Sequence, residues 1–180
     1  MTPLATPETA AKLKAVIRDV PDFPKKGIIF KDITPLLAEP ALFRELVRSF
    51  AGAYRGKGIT KVLGIESRGF LLAAPVAVEL GAGLVPVRKK GKLPYRTVSA
   101  SYALEYGTDT LEMHEDAVKP GEKVLIVDDV LATGGTAAAV RELVEKLGGR
   151  LAGIAMLIEL EFLKGREKLP GCEVVSLIKY

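Results

Sequence analysis

The chain has 180 residues, 48% of them hydrophobic and 27% charged, so it can bury one sizeable core and we predict a single domain over residues 1–180. Its formal net charge of +4 permits an anionic ligand but does not require nucleic acid, and one cysteine with one histidine excludes an intrachain disulfide framework and a Cys/His zinc cluster. No stretch is apolar and long enough to span a membrane, and the N-terminal residues lack a signal-peptide pattern, so we expect a cytoplasmic protein without a membrane partner.

The first half of the chain alternates helix-like and strand-like segments. Thr6 and Pro7 suit the cap and the first position of a helix, whose apolar positions continue to Val20. A second helix is predicted at 40–54, where apolar residues recur at helical spacing before two glycines. The elements predicted next are a strand at 61–65, an apolar helix at 69–80 and a strand at 83–87.

The second half contains a predicted hairpin followed by a βαβ unit. Strand-like segments at 99–104 and 110–113 flank Glu105-Tyr106-Gly107. The βαβ unit consists of a strand at 123–127, a helix at 135–147 and a strand at 151–160, and a last strand follows at 173–178. This alternation predicts an α/β fold with a mainly parallel, twisted sheet flanked by helices.

A candidate site lies where the first strand of that unit meets its helix, in VLIVDDVLATGGT, residues 124–136. In parallel sheets ligands bind beyond the carboxyl ends of the strands, and Asp128 and Asp129 follow directly after the predicted strand. The loop 132–136 supplies two glycines that permit close approach of an anion, two threonine hydroxyls, and the amides of a helix N-terminus. These features predict a phosphate-binding loop beside a carboxylate pair.

Two common phosphate motifs do not fit this loop. The lysine of a P-loop is missing after Gly135, and the acidic pair precedes the glycines, which is the reverse of a dinucleotide-binding fingerprint. A ribose 5-phosphate fits better, because Asp128 and Asp129 would accept hydrogen bonds from its hydroxyls and stabilise an oxocarbenium-like transition state. The alternative is an acidic turn without function; the order of strand, acids, small residues and helix favours a site.

The motif resembles the phosphoribosyl-pyrophosphate motif of type I phosphoribosyltransferases. Four further segments resemble adenine phosphoribosyltransferases in particular: FPKKGIIFKDITPLL (23–37), GIESRGF (64–70), VPVRKKGKLP (85–94) and LEYGTDTLEMH (104–114). This resemblance implies the type I phosphoribosyltransferase fold, with a small N-terminal base-binding hood and a flexible hairpin loop. It also implies purine salvage by a homodimer, in which adenine and phosphoribosyl pyrophosphate give AMP and pyrophosphate with Mg²⁺.

The resemblance assigns roles around the ribose. Asp128 and Asp129 would hold the ribose hydroxyls and lie near the metal, with no direct protein ligand to Mg²⁺ assigned. Arg68 would bind pyrophosphate, and the Glu66–Ser67 peptide bond before it is expected to be cis. The 5′-phosphate would lie in the loop formed by Ala132, Thr133, Gly134, Gly135 and Thr136.

A basic stretch and the loop after it complete the implied pyrophosphate site. Alone, the run Arg88, Lys89, Lys90, Lys92 and Arg96 is more typical of a solvated surface. The resemblance places Arg88, Lys89 and Lys92 at pyrophosphate, with Arg88 donated across a dimer interface. The segment 91–106 is then expected to close over the site, with Glu105 as the acid-base group and Tyr106 as a cover.

The implied adenine pocket rests on fewer residues. Ile29 and Val130 would sandwich the base, and backbone groups near Ile29 and Lys31 would read its edge. Lys31 stands where better-known animal relatives carry arginine, which leaves any side-chain contribution open, and Ile29 could instead be an ordinary core residue. His114 and Cys172 are expected to be structural.

Two other functions remain open from the sequence. One is a phosphoribosyltransferase for a different base, such as xanthine. The other is a noncatalytic sensor of phosphoribosyl pyrophosphate, against which Arg68 and Glu105 argue.

Overall fold

The structure, a computed structural model, describes residues 6–104 and 107–180, with the backbone alone at 103 and 104. The N-terminal part begins with helix α1 (Pro7–Ala15), which Thr6 caps by accepting a hydrogen bond from Thr9 N. Strands β1 (Arg18–Pro21) and β2 (Ile29–Asp32) then pair antiparallel as a separate two-stranded sheet. Helices α2 (Thr34–Ala38) and α3 (Pro40–Tyr54) lead from this sheet, which we call the hood, into the main body.

The main body is built on a seven-stranded sheet in the described part of the chain. Its elements are β3 (Lys61–Ile65), α4 (Arg68–Leu80), β4 (Gly83–Lys89), β5 (Thr97–Leu104), β6 (Gly107–His114), β7 (Lys123–Leu131), α5 (Gly135–Lys146), β8 (Arg150–Glu159) and β9 (Val174–Lys179). The strand order is β5-β6-β4-β3-β7-β8-β9. The five strands from β4 to β9 in that order are parallel, and the β5–β6 hairpin adds antiparallel to β4. The predicted mainly parallel sheet flanked by helices is confirmed.

Strand β7 is buried on both faces of the sheet. Leu125 and Val127 pack into a core with α3 and α4, whereas Val124 and Ile126 pack into a second core with α5. Alternate residues of a strand point to opposite faces, so a strand covered on both sides needs an uninterrupted apolar run. The acids that follow the run VLIV therefore lie near the carboxyl end of an interior strand.

Two predicted boundaries were wrong. Helix α1 ends at Ala15, and Val20 lies in β1, because pairing with β2 competes with continuation of the helix. Strand β7 continues to Leu131, since β8 pairs with it beyond the acids, so Asp128 and Asp129 lie inside the strand and not after it. The predicted hairpin is present: within the expected closing segment, β5 pairs with β6 along its whole length.

In the part of the chain that the structure describes, no helix is long and apolar enough to cross a membrane.

Candidate active site

Asp128 and Asp129 form the centre of the site at the carboxyl-terminal half of β7. The backbone N–H of Asp129 donates to Asp128 Oδ1 over 2.9 Å, and Asp129 is only 6% exposed. Burial, and then the neighbouring Asp129 carboxylate, raise the pKa of Asp128 well above its usual range. Gly69 makes room for this carboxyl group, because a Cβ there would lie 2.6 Å from Asp128 Oδ1. The start of α4 therefore packs directly on the acidic pair.

Arg68 is the first residue of α4 and faces Asp129. It follows the Glu66–Ser67 peptide bond, which is cis. Arg68 Nε lies 2.8 Å from Asp129 Oδ2, yet Asp129 Oδ2 and Arg68 Nη1 are both buried without a hydrogen-bond partner among the described residues. Burial raises the pKa of Asp129, and Arg68 opposes that shift. Because buried polar atoms are normally paired, Arg68 Nη1, which has no such contact among the described residues, is suited to a polar ligand.

The loop after β7 encloses a small cavity that reaches Asp128. The cavity is lined by Asp128, Val130, Met156 and the continuous segment 131–137. Gly134 has φ of +79°, in the left-handed region that glycine adopts without strain, and α5 begins at the next residue. The amides of a helix N-terminus attract anions. This arrangement is a phosphate-sized recess beside the carboxylate pair.

The back of this loop is closed by Gly165, which the sequence analysis missed. A Cβ on Gly134 would overlap the Gly165 carbonyl oxygen, and a Cβ on Gly165 would overlap the Ala132 carbonyl oxygen. Arg166 holds the segment by pairing both carboxylate oxygens of the buried Glu159 and by donating to Val174 O over 3.0 Å. Gly134 is therefore constrained by this packing and by its positive φ. No local pattern signals a contact between residues thirty positions apart.

The predicted basic stretch divides into two groups. Arg88 Nε lies 3.3 Å from Glu66 Oε2, Lys92 Nζ contacts the other carboxylate oxygen, and the Lys89 N–H donates to Glu66 over 3.1 Å. The hydrogen bond from Lys92, the largest of these effects, helps to lower the pKa of Glu66 to about 2. Arg88 and Lys92 thus both contact Glu66, which precedes Arg68 by two positions in the sequence.

The other basic side chains of the stretch have different partners. Lys89 Nζ lies 3.1 Å from Asp109 Oδ2, and Arg96 lies 3.7 Å from Glu115. The structure therefore brings the side chains of Arg88 and Lys92 together on Glu66, but not those of Lys89 and Arg96.

Strand β2 of the hood carries the predicted base-binding residues. Ile29 is 58% exposed, so the core-residue interpretation of Ile29 is wrong. The Lys31 ammonium lies 2.7 Å from Asp19 Oδ1 and 3.9 Å from the centroid of the Tyr180 ring. Phe30 lies between Ile29 and Lys31 in the sequence, and the centroid of its ring is 4.6 Å from Arg68 Cζ. Phe30 was not among the predicted base-binding residues, although it is an aromatic residue inside the resembling segment 23–37.

Comparison with known proteins agrees with this geometry. The phosphoribosyl transferase domain family matches residues 32–171. The adenine phosphoribosyltransferase of Acidothermus cellulolyticus is 59% identical over 165 residues, which cover 92% of this chain and 93% of the relative. The chain belongs to the adenine phosphoribosyltransferase family. This confirms the family resemblance identified in the sequence.

Other adenine phosphoribosyltransferases are similar over nearly the whole chain. That of Kosmotoga olearia is 58% identical over 168 residues, covering 93% of this chain and 99% of the relative. The crystal structure from Rhodothermus marinus has a TM-score of 0.94 at 54% identity, covering 97% of this chain and 100% of that one. The structure from Saccharomyces cerevisiae, solved with an imino-altritol bisphosphate and adenine, has a TM-score of 0.91 at 43% identity, covering 96% and 99% of the two chains.

Within this adenine phosphoribosyltransferase fold, the predicted site residues occupy three places. Asp128, Val130 and the loop 132–136 line one cavity, and the neighbouring Asp129 pairs with Arg68. Ile29 and Lys31 lie on the hood strand. Glu105 and Tyr106, predicted as the acid-base group and the cover, lie outside the described residues. His114 packs edge-on against Tyr95 at 6.1 Å, and Cys172 Sγ lies 3.5 Å from Arg141 Nη1.

Proposed function

We propose that this chain transfers the 5-phosphoribosyl group from phosphoribosyl pyrophosphate to adenine, giving AMP and pyrophosphate in purine salvage. The observation that carries the proposal is the Asp128–Asp129 pair, which lies between the phosphate-sized loop and an arginine with a buried, unpartnered nitrogen. A phosphorylated ribose with an anionic leaving group needs these three features in this order. The names of the relatives support adenine as the acceptor.

The ribose phosphate would lie between the loop and the acids. Backbone amides and hydroxyls of Ala132, Thr133, Gly134, Gly135 and Thr136 would bind the 5′-phosphate, and the Asp128 and Asp129 carboxylates would accept from the ribose hydroxyls. As the bond from C1′ to pyrophosphate breaks, positive charge develops on the sugar ring. Two carboxylates fixed by the strand would stabilise that charge without reorganisation.

The leaving pyrophosphate would be bound by arginine and lysine. Arg68 Nη1 is buried without a hydrogen-bond partner among the described residues, and a guanidinium fork can contact two phosphate oxygens at once. Arg88 and Lys92 contact Glu66, which lies two positions before Arg68 in the sequence. Lys89 is the last residue of β4 and is proposed to bind pyrophosphate with them. Pyrophosphate would therefore compete with Glu66 for two of these cations.

Mg²⁺ is proposed to enter with phosphoribosyl pyrophosphate. Among the described residues no group of three or more His, Cys, Asp or Glu side chains could hold a metal ion. The carboxylate pair nevertheless fits the ion, because Mg²⁺ usually combines one or two carboxylates with substrate phosphates, and the one contact of Asp129 Oδ2 among the described residues is its ion pair with Arg68. When bound, the ion would neutralise charge on the pyrophosphate, and Asp128 and Asp129 would lie near it.

Adenine would lie between the hood and β7. Ile29 and Val130 are proposed to contact its faces, and we add Phe30, whose ring is the hood side chain that faces Arg68. Backbone groups near Ile29 and Lys31 would read the edge of the base. Glu105 would act as the acid-base group and Tyr106 would cover the site.

A cytoplasmic homodimer of one-domain subunits is also proposed. An apolar stripe on α4 is exposed at helical spacing, with Leu71 50% and Val78 83% exposed, and Leu84 of β4 is exposed as well. A second copy of the chain would cover this surface, since exposed apolar patches mark contact sites. Strand β4 carries both Leu84 and Arg88, so Arg88 would lie near this interface and could contribute to the site of the second copy.

The test is an assay of the purified chain with phosphoribosyl pyrophosphate, Mg²⁺ and separately adenine, hypoxanthine, guanine and xanthine. We expect AMP and pyrophosphate from adenine and little product from the oxopurines. Product from xanthine alone would favour the alternative base, and tight binding of phosphoribosyl pyrophosphate without product from any base would favour a sensor.

A further inference from the structure

Tyr180 contacts two ammonium groups from the N-terminal part of the chain. Lys14 Nζ of α1 lies 4.0 Å from the centroid of the Tyr180 ring, and Lys31 Nζ of β2 lies 3.9 Å from it. An ammonium group within about 6 Å of a ring centroid is attracted by the ring face. The ring of Tyr180 therefore joins both α1 and the hood to the end of β9.

The backbone of Tyr180 is fixed to the main sheet on both sides. Its N–H donates to Glu159 O over 3.0 Å, and its carbonyl oxygen accepts from Glu161 N over 3.0 Å. Burial, and then the nearby Asp19, raise the pKa of the phenol, so the ring remains neutral at physiological pH. Tyr180 is thus a fixed, neutral aromatic surface on the main body.

Lys31 is held from two directions. Its ammonium lies 2.7 Å from Asp19 of the paired strand β1, while its other contact is the Tyr180 ring, and its side chain is only 13% exposed. In the described part of the chain, β1 and β2 pair only with each other. Backbone ladders therefore do not fix the hood to the main sheet, and side-chain contacts such as this one must do so.

We propose that Tyr180 is a positioning residue for the nucleobase, which holds Lys31 and so sets the place of β2 relative to the ribose site. The inference rests on the proposed function, in which the backbone near Ile29 and Lys31 reads adenine. Loss of the ring would let β2 move, but the phosphate loop lies on other elements of the main sheet. Its effect should therefore fall on adenine and not on phosphoribosyl pyrophosphate.

The decisive comparison is Tyr180→Leu with Tyr180→Phe, because phenylalanine retains the ring and leucine does not. We expect Tyr180→Leu to lower kcat/KM for adenine roughly threefold to thirtyfold, the range that corresponds to one partly buried contact between an ammonium and a ring. The KM for phosphoribosyl pyrophosphate should stay within about twofold, and Tyr180→Phe should match the unmodified chain. Equal losses for both substrates, or no loss for adenine, would overturn the inference.

Lys14→Met provides a control, since it removes the other ammonium from the same ring, together with its hydrogen bond to Lys179 O, and changes no residue of the hood. Both Lys14→Met and Lys31→Met should lower the melting temperature, but only Lys31→Met should impair the use of adenine. If Tyr180→Leu does not fold, this pair tests whether the Lys31 ammonium, which Tyr180 and Asp19 hold together, affects adenine, and equal adenine kinetics in the two variants would overturn the inference. An unmodified chain that forms no AMP would refute the proposed function and this inference together, whereas an active chain insensitive to these changes would refute the inference alone.

Discussion

Gly134 and Gly165 pack against each other with no room for a side chain on either. A Cβ on Gly134 would overlap the carbonyl oxygen of Gly165, and one on Gly165 would overlap the carbonyl oxygen of Ala132 while lying 3.1 Å from Gly134 N. The proposed 5′-phosphate loop is therefore shaped from behind by a segment that Arg166 ties to Glu159.

Gly165→Ala should displace the phosphate loop without removing a ligand group. Overpacking of this kind typically costs about 1–3 kcal/mol, so we expect a lower melting temperature and a raised KM for phosphoribosyl pyrophosphate. Titration calorimetry should show weaker AMP binding with nearly unchanged pyrophosphate binding. Gly83→Ala is the control, because its added Cβ would first meet the flexible Lys61 side chain at 3.3 Å. Unaltered AMP affinity in Gly165→Ala would show that the loop is positioned by other contacts.

Gly134→Val should abolish measurable turnover for two reasons. The residue would need φ near +79°, which a β-branched side chain rarely adopts, and its Cβ would collide with Gly165. The fold should remain detectable by circular dichroism, because the collision is confined to the loop contact between Gly134 and Gly165 and lies outside the two hydrophobic cores. Near-normal AMP synthesis would remove Gly134 from the site.

Asp128→Asn should abolish activity and raise stability. Burial raises the folded-state pKa of Asp128, so its ionised form costs stability at neutral pH, and this cost is relieved as the pH falls through the folded pKa. Asparagine removes the charge but keeps an oxygen for the Asp129 N–H. For a chain of this size each kcal/mol gained raises Tm by about 2–4 °C. A lower Tm at pH 7 in thermal unfolding would contradict the account of the buried charge.

Glu66→Gln should have the opposite dependence on pH. The pKa of Glu66 is lowered from 4.5 to about 2 in the folded chain, so its stabilising contacts are fully present above pH 4.5 and are lost as the pH falls toward 2. The difference in Tm between the unmodified chain and Glu66→Gln should be constant near neutral pH and shrink in acid. We also expect tighter pyrophosphate binding in the variant, since Arg88 and Lys92 lose a competing carboxylate. A Tm difference that grows in acid would refute the pairing.

Arg68→Ala should raise the KM for phosphoribosyl pyrophosphate far more than the KM for adenine. The guanidinium faces the proposed pyrophosphate position, and its removal also leaves Asp129 buried without a cation. Binding measurements should therefore show a larger loss for pyrophosphate than for AMP. Equal losses for both ligands would indicate that Arg68 only maintains the structure.

Glu105→Ala should lower kcat with a smaller change in the KM for adenine. General acid-base groups contribute about 10²- to 10⁴-fold in rate, and we expect a loss in that range. Selection against hypoxanthine and guanine should persist, because it is assigned to the backbone of β2, where a 6-oxopurine would leave a buried polar group unpaired. Steady-state kinetics with the three bases measure both effects, and an unchanged kcat would remove Glu105 from the mechanism.

The sequence by itself determined the elements whose patterns are local. The helix at 40–54 and the strand at 61–65 agree with α3 and β3 at both ends, because helical and strand periodicity report which side of an element is buried. The order of strand, acids, small residues and helix in 124–136 also sufficed to predict a ribose-phosphate site at the place where the structure has a small cavity. Each of these features depends on neighbours within about a dozen residues.

Tertiary structure alone decided the features that join distant segments. Pairing with β8 carries β7 past the acids to Leu131, and Gly165 closes the loop at Gly134 from thirty residues away. The contact between Tyr180 and Lys31 also joins distant segments, because Tyr180 follows β9 of the main sheet and Lys31 lies in β2 of the hood. A one-dimensional pattern records which side chains are present but not which ones the fold brings within a few ångströms, because those contacts arise only when the packed elements bury their apolar faces together.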